Sequence, residues 1–201
     1  MTMTLKEFRH AMAFGYSKDD GELERTLRAF NQEALRITAE LNGTYHSPEE
    51  VRALMERLTG ESFDDSLDLR PPFYTDCGKN LRMGKRVFIN SGCHFQDQGG
   101  IDIGDDVFIG PQTIIATLNH DPAPDRRAHL FPKPVRIGNN VWLGARVTLC
   151  PGVTIGDGAI IAAGAVVTRN ISSFALAAGI PARIIRRLDG RETRDNGRKP
   201  S

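Results

Sequence analysis

The chain has 201 residues, and its 26 Lys and Arg against 25 Asp and Glu give a formal net charge of +1. This balance gives no reason to expect a nucleic-acid or membrane partner, and no run of 18 apolar residues predicts a membrane span. Charged residues from Lys6 to His10 also interrupt any signal-peptide core. The three cysteines form no Cys-x-x-Cys pair, which favours a reduced, cytoplasmic protein.

The first part of the chain, residues 1–62, predicts a helical unit. Apolar residues recur at helical spacing from Leu23 to Leu41 and stop at Asn42-Gly43. Ser47-Pro48-Glu49-Glu50 has the form of a capping box with proline at the first helical position, and it opens a second helix that stops at Gly60. We expect two or three helices here, capping an open end of the domain that follows.

A six-residue repeat dominates residues 63–187. Each hexad opens with an apolar residue, often followed by Gly or Ala, and has a second small apolar residue four positions later. Opening residues include Cys77, Met83, Ile89, Phe95, Ile103, Ile109, Ile115, Ile137, Leu143, Leu149, Ile155, Ile161 and Val167. Such a period is typical of a parallel β-helix, in which stacked coils share one interior. The period alone does not choose the hand of the coil.

The repeat is interrupted at residues 117–134. Asp121-Pro122 and further prolines cannot join the ladder of the wall, so the segment is predicted to protrude as a loop. His120 lies at the root of this loop, where a cleft would form and where a neutral imidazole could accept a proton from a hydroxyl. The same ring could instead only hydrogen-bond the loop base, and the residues alone leave both roles open.

The chain becomes basic after Pro181. Its cationic residues there are Arg183, Arg186, Arg187, Arg191, Arg194, Arg198 and Lys199. Guanidinium groups match the geometry of phosphate, but a solvated basic face would have the same composition. Residues 188–201 are predicted to form a basic, flexible tail.

Three pairs of motifs follow one another between residues 71 and 187. They are Pro72–Asn80 with Val87–Cys93, Asn119–Pro122 with Pro134–Gly144, and Val166–Ile171 with Ala178–Arg183. Together they resemble the maltose/galactoside/nodulation O-acetyltransferase family of hexapeptide-repeat acyltransferases. The resemblance implies an all-β solenoid, a left-handed parallel β-helix with an N-terminal α-helical cap. It also implies a homotrimer, with active sites between subunits, that transfers acetyl from acetyl-coenzyme A to a sugar hydroxyl and requires no metal.

The resemblance assigns roles on the acceptor side of the site. It makes His120 the general base and Asn90, Asp97 and Asp76 acceptor contacts, while Trp142 walls the cleft. Each has a structural alternative. Asn90 could stabilise a turn, the two carboxylates could be solvated corner residues, and Trp142 could pack the loop against a coil.

The resemblance also places the donor. Small residues of the repeat would line a narrow groove for the pantetheine arm, and hydroxyl and guanidinium groups would bind the phosphates. The residues concerned are Ala145, Ala163, Thr168, Arg169, Arg183 and Arg186. Arg169 stands where the family usually has Lys, with the charge retained. No cysteine or serine has a base beside it by motif, so direct transfer in a ternary complex is expected.

Two other functional classes share this kind of repeat. A γ-type carbonic anhydrase needs three zinc-binding histidines, and His94, His120 and His129 lack that family's spacing. A non-catalytic scaffold remains an alternative because fold alone does not establish activity. The N-terminal stretch Ala11–Asp20 differs from the acceptor-contacting segment of sugar-acetylating relatives. The acceptor is therefore open: a sugar, another hydroxyl compound or an amine.

Overall fold

A computed structural model describes residues 3–13 and 21–188. The helices are α1 (Leu5–Met12), α2 (Gly21–Gly43) and α3 (Pro48–Thr59). The strands are β1 (Asp68–Leu69), β2 (Phe73–Thr75), β3 (Leu81–Met83), β4 (Phe88–Ile89), β5 (Cys93–Gln96), β6 (Ile101–Ile103), β7 (Phe108–Ile109), β8 (Ile114–Ala116), β9 (Leu118–His120), β10 (Leu130–Pro132), β11 (Val135–Ile137), β12 (Trp142–Leu143), β13 (Thr148–Leu149), β14 (Thr154–Ile155), β15 (Ile160–Ile161), β16 (Val166–Val167), β17 (Ala175–Gly179) and β18 (Ala182–Arg187). Apart from Leu188, the predicted tail lies outside the described residues.

Successive strands belong to different faces of a triangular coil. The first face has the order β1-β4-β7-β12-β15-β17-β18, the second β2-β5-β8-β13-β16, and the third β3-β6-β11-β14. Strands of neighbouring coils pair in parallel, whereas β17–β18 and the β9–β10 hairpin are antiparallel. The parallel β-helix predicted from the hexad period is confirmed.

The opening residues of the hexads form the interior. On the first face Ile89, Ile109, Leu143 and Ile161 pair in register, and all four are fully buried. Burying each such side chain contributes roughly 1.5–3 kcal/mol. The interior is continuous from coil to coil because every coil repeats the same inward positions.

Glycine follows the inward residue where the next coil comes close. A Cβ at Gly110 would lie 2.6 Å from the backbone nitrogen of Ala145, and one at Gly144 would lie 2.6 Å from that of Ala163. Substitution there would force the coils apart. The left-handed turns at the corners are less restrictive, since Gln112 and Arg146 adopt φ values of 58° and 57°. Residues other than glycine therefore also occupy these corners.

The outward residues differ between the faces. The third face carries charges, with Asp102 close to both Arg82 (2.6 Å) and Arg136 (3.8 Å). The first face is apolar, with its outward positions occupied by Phe88, Phe108, Trp142, Ile160 and Leu176. Phe108 and Trp142 are 56% and 54% exposed. The other three are half-buried, and an apolar row this long is typical of a binding surface.

The helical cap closes the N-terminal end of the solenoid. The Asn42 side chain of α2 donates from Nδ2 to the Phe73 carbonyl and accepts from the Phe73 N–H, both at 2.9 Å. It thereby satisfies the free edge of β2. Lys79 Nζ donates to the carbonyl of Arg57 at 2.7 Å and joins α3 to the first coil. The predicted capping box at Ser47 is also confirmed.

The interruption at residues 117–134 protrudes between the second and third faces. Its strands β9 and β10 form a hairpin of their own, with Pro132 at one strand end opposite Leu118. The N–H of Lys133 donates to the Thr117 carbonyl at 2.8 Å and closes the base. No described helix is both long and apolar enough to cross a membrane.

Candidate active site

A groove of about 790 Å³ runs along the corner where the first and second faces meet. It brings together Asn90, Trp142, Ala145 and Ala163, for which the family resemblance implies acceptor and donor binding. Its other lining residues are Phe88, Phe108, Ile109, Gly110, Pro111, Gly144, Ile160, Ile161, Ala162 and Leu176. The small residues lie along the corner and the aromatic rings stand on the first face, so the groove is narrow and apolar.

Phe88 and Phe108 are groove residues that the sequence analysis did not assign. Their rings lie 6.4 Å apart, and Phe108 is in register with Trp142 on the next coil. The signal was present in the repeat. Each of the three aromatics directly precedes an inward aliphatic residue, so the alternation of a strand points it outward.

Asn90 provides the carboxamide of the groove. Its Oδ1 accepts from the N–H of Ser91 at 2.8 Å, which is the turn-stabilising role left open above. Within the described part of the chain its Nδ2 has no hydrogen-bond partner, so this N–H₂ group can donate into the groove. The two roles are compatible in one residue.

His120 lies at the end of β9 with an exposed side chain. Its Nδ1 is 2.7 Å from the backbone carbonyl of Arg127. A carbonyl only accepts, so in this bond Nδ1 carries the proton and Nε2 of the neutral ring is the acceptor. The hydrogen bond from His120 to the loop base is therefore observed. Because it leaves Nε2 unprotonated, it also suits a general base.

One chain does not bring His120 to the groove. The hairpin leaves at the corner between the second and third faces, whereas Asn90 and Trp142 line the corner between the first and second. The catalytic and binding residues predicted from the sequence thus form two separate groups on the single chain.

The position of Asp97 differs from the one expected for an acceptor contact. The resemblance implied an acceptor contact, but Asp97 is 0% exposed. Its Oδ1 accepts from Thr75 Oγ1 (2.7 Å) and Cys77 N (2.9 Å), and its Oδ2 accepts from Asn80 N at 3.1 Å. In this conformation the carboxylate has no exposed surface for an acceptor to touch. Asp97 instead organises the corner of the first coil.

Asp76 lies near Asp97 but on the outer side of the second face. Its Oδ1 is 3.7 Å from Nε2 of His94. Burial raises the pKa of the Asp76 carboxyl, and the nearby Asp97 charge adds to this, while His94 opposes it. The structure places Asp76 outside the groove of its own chain. Its predicted acceptor contact stays a prediction.

The four polar donor residues lie at two places near the C-terminal end of the solenoid. Thr168 and Arg169 are exposed at the corner that follows β16. Arg183 and Arg186 are exposed on β18, and Arg186 is in register with Leu176, a groove residue. Arg186 thus neighbours one end of the groove, and the donor-binding roles of all four residues stay predictions.

The thiols are poor nucleophiles. Burial is the largest cause that raises the pKa of Cys77 well above its usual value, and it raises the pKa of Cys93 to about 11. Burial also raises the pKa of Cys150, which is only partly buried. Thiolate is the reactive form, so none of the three is poised to accept an acetyl group at neutral pH.

We expect iodoacetamide at pH 7.5 to leave Cys77 and Cys93 unmodified in the native protein, because neither is exposed or ionised there. Peptide mass spectrometry before and after denaturation in urea measures this, since all three thiols should react once unfolded. Native labelling of Cys93 together with loss of activity would contradict the expectation and favour a covalent acetyl-enzyme.

Within residues 3–13 and 21–188, no three His, Cys, Asp or Glu side chains converge as a metal-binding group. His94 lies on the second face and His120 on the hairpin. Two of the three histidines considered for a zinc site therefore lie on different elements of one chain.

The chain matches known proteins over most of its length. The family described as bacterial transferase hexapeptide (six repeats) matches residues 134–169. Nodulation protein L of Rhizobium meliloti is 38% identical over 186 residues, which are 92% of this chain and 99% of that protein.

Solved structures extend the match to the fold. A maltose O-acetyltransferase from Clostridium difficile 630 has a TM-score of 0.82 at 31% identity, covering 94% of this chain and 99% of its own. A galactoside acetyltransferase in complex with coenzyme A has a TM-score of 0.76 at 28% identity, covering 99% and 100%. The predicted left-handed coil is confirmed by these neighbours. The chain belongs to the maltose/galactoside/nodulation O-acetyltransferase family of hexapeptide-repeat acyltransferases.

Proposed function

We propose that this acetyltransferase moves an acetyl group from acetyl-coenzyme A to a hydroxyl of a sugar or related small acceptor, by direct transfer with His120 as general base. The observation that carries the proposal is the His120 ring, whose Nδ1 is held by the Arg127 carbonyl so that Nε2 can accept a proton. The narrow apolar groove and the coenzyme A bound to a relative of the same fold support the donor.

The groove suits the pantetheine arm of the donor. It extends from Phe88 on the second coil to Leu176 on the last, which is roughly 19 Å at a strand spacing near 4.8 Å. Ala145 and Ala163 leave room for an extended chain, and Arg186 stands at the far end. We therefore place the phosphates at the β18 end and the thioester near Asn90 and Trp142.

The site is completed by a second copy of the chain. His120 and the groove occupy different corners of the same triangular coil, so one subunit cannot use both on one acceptor. In a homotrimer, the hairpin of one subunit would reach the groove of the next. The exposed rings of Phe108 and Trp142 give the first face an apolar surface to bury in such a contact.

The chemistry then follows from the tautomer of His120. Nε2 removes the acceptor proton as the hydroxyl oxygen attacks the thioester carbonyl. A backbone N–H beside the groove stabilises the oxyanion, the carbon–sulfur bond breaks, and the protonated ring returns its proton to the leaving thiolate. The Arg127 carbonyl keeps its bond to Nδ1 throughout and stabilises the transient imidazolium.

Arg183→Ala is expected to raise the KM for acetyl-coenzyme A by about 10- to 100-fold, the loss of charge-assisted contacts of roughly 1.5–3 kcal/mol, with kcat little changed. Steady-state kinetics with varied donor measure this. Arg25→Ala, on the exposed side of α2, is the matched control. A KM change confined to the acceptor would refute this placement of the phosphates.

The acceptor class is tested by thiol release from acetyl-coenzyme A against a panel of sugars, polyols and amino sugars, with product masses determined. We expect acceptor-dependent release and a product one acetyl group heavier. Thermal stabilisation by coenzyme A without turnover on any acceptor would instead indicate a binding protein.

A further inference from the structure

The residue after the proposed base is a buried carboxylate on a protruding hairpin. Asp121 is 6% exposed although it directly follows β9 on the hairpin and belongs to neither hydrophobic cluster. Its Oδ1 accepts from the N–H of Ala123 at 2.9 Å, and its Oδ2 accepts from Nε of Arg126 at 3.0 Å. Its own N–H donates to the carbonyl of His129 across the hairpin at 3.1 Å. Buried polar groups that are fully paired in this way fix one local conformation.

The turn that Asp121 fixes carries the carbonyl that holds His120. Pro124–Arg126 forms a 3₁₀ turn, closed by the Arg126 N–H to the Ala123 carbonyl at 3.1 Å. Arg127 follows directly, and its carbonyl is the 2.7 Å partner of His120 Nδ1. The Asp121 carboxylate accepts hydrogen bonds at both ends of the turn, from Ala123 just before it and from Arg126, its last residue. The position of the Arg127 carbonyl therefore depends on the Asp121 carboxylate.

We propose that Asp121, paired with Arg126, is a positioning residue that holds the Arg127 carbonyl on Nδ1 of His120 and so keeps Nε2 unprotonated for catalysis. Its role in the reaction rests on the proposed function, but its effect on the tautomer does not. A neutral imidazole free in water carries its proton mostly on Nε2, which would leave the base without its lone pair at the acceptor. The carbonyl reverses this preference only while it stays within hydrogen-bond distance.

The charge state of Asp121 suits this role. The Ala123 N–H chiefly, and the Arg126 guanidinium in addition, lower the pKa of the Asp121 carboxyl. The carboxylate is thus ionised, and an acceptor only, throughout the neutral range in which His120 would act as a base.

The test is an NMR measurement of the ring nitrogens of 15N-histidine-labelled full-length protein, with His120→Gln used to assign the signals. We expect wild-type His120 to show the Nδ1–H tautomer and Asp121→Ala to move it toward Nε2–H. In thiol-release kinetics Asp121→Ala should lower kcat by about 10- to 100-fold with both KM values nearly unchanged, because a base misplaced by about 1 Å loses that much.

Two further variants separate positioning from simple loss of structure. Asp121→Asn keeps an oxygen for the Ala123 N–H, and Arg126→Ala removes only one contact, so both should lose less kcat than Asp121→Ala. Asp125→Ala is the matched control, because this exposed carboxylate of the same turn has no hydrogen bond or ion pair with any described residue. Melting temperatures should stay close to wild type for all four.

The proposal is overturned if Asp121→Ala keeps the Nδ1–H tautomer and the kcat of Asp125→Ala. It is also overturned if the wild-type ring carries its proton on Nε2. If the tautomer changes as expected but His120→Gln is as active as wild type, the positioning by Asp121 stands and the proposed role of His120 fails.

Discussion

Replacing His120 by alanine is expected to lower kcat by about 10²- to 10⁴-fold, the usual contribution of a general base. The side chain is exposed on the hairpin, and its one described hydrogen bond is to the Arg127 carbonyl. The variant should therefore fold normally, since no part of the solenoid interior depends on the ring. Thiol-release kinetics at saturating donor and acceptor measure the effect, and circular dichroism melting checks the fold.

His46→Ala is the control for this experiment. The His46 ring also contacts a backbone carbonyl, that of Glu40 at 2.9 Å, but it lies between α2 and α3 in the helical cap. It should leave kcat unchanged. Equal turnover in the His120 variant would remove that residue from the reaction. A rise confined to the KM for acetyl-coenzyme A would make His120 a donor contact instead of the base.

The hexad period was sufficient to predict the stacking of the coils. Each coil must fill the same inward positions, so Leu143 and Ile161, three hexads apart, could be placed in one row from their spacing alone. The helical cap followed from equally local signals such as the Ser47 capping box. The hand did not follow, because a period is the same in a left- and a right-handed coil. The left-handed assignment came from the motifs that resemble the family.

The groove was partly predictable for the same reason. Ala145 and Ala163 were recognised because small residues recur at the corner, and the close approach of the coils explains why Gly110 and Gly144 beside them have no side chain. Phe108 could not be assigned from the hexad pattern, because the pattern identifies inward residues and not the outward neighbours that line a surface. The distance between His120 and the groove could not be predicted, since a repeat seen in one chain contains no information on where a second chain lies.

Asp97 shows how a local rule could have corrected an assignment from the motifs. Cys93, Phe95 and Asp97 follow one another at alternate positions, and the first two are inward and fully buried. Alternation along a strand therefore points Asp97 inward as well. Its donors could not be read from the sequence, because Cys77 N and Asn80 N belong to the preceding coil and meet the carboxylate only after the coils stack.

Replacing Asp97 by alanine is accordingly expected to destabilise the protein by about 3–5 kcal/mol. The substitution would leave the backbone N–H groups of Cys77 and Asn80 buried without an acceptor, while the Thr75 hydroxyl would keep only the Phe95 carbonyl at 2.9 Å. Cys77 also belongs to the cluster in which the solenoid meets α1 and α2, so the cap should loosen with the corner. Urea unfolding followed by circular dichroism measures the change.

The comparison that decides the role of Asp97 uses Asp102→Ala. Asp102 is a carboxylate of the same coil, but it stands on the charged third face and pairs with Arg82, so its loss should cost no more than about 1 kcal/mol. Asp97→Asn should fall between the two, since it keeps one oxygen for the Thr75 and Cys77 donors. If Asp97→Ala were as stable as Asp102→Ala and raised only the KM for the acceptor, the carboxylate would be a substrate contact after all, reached through a movement of the first coil.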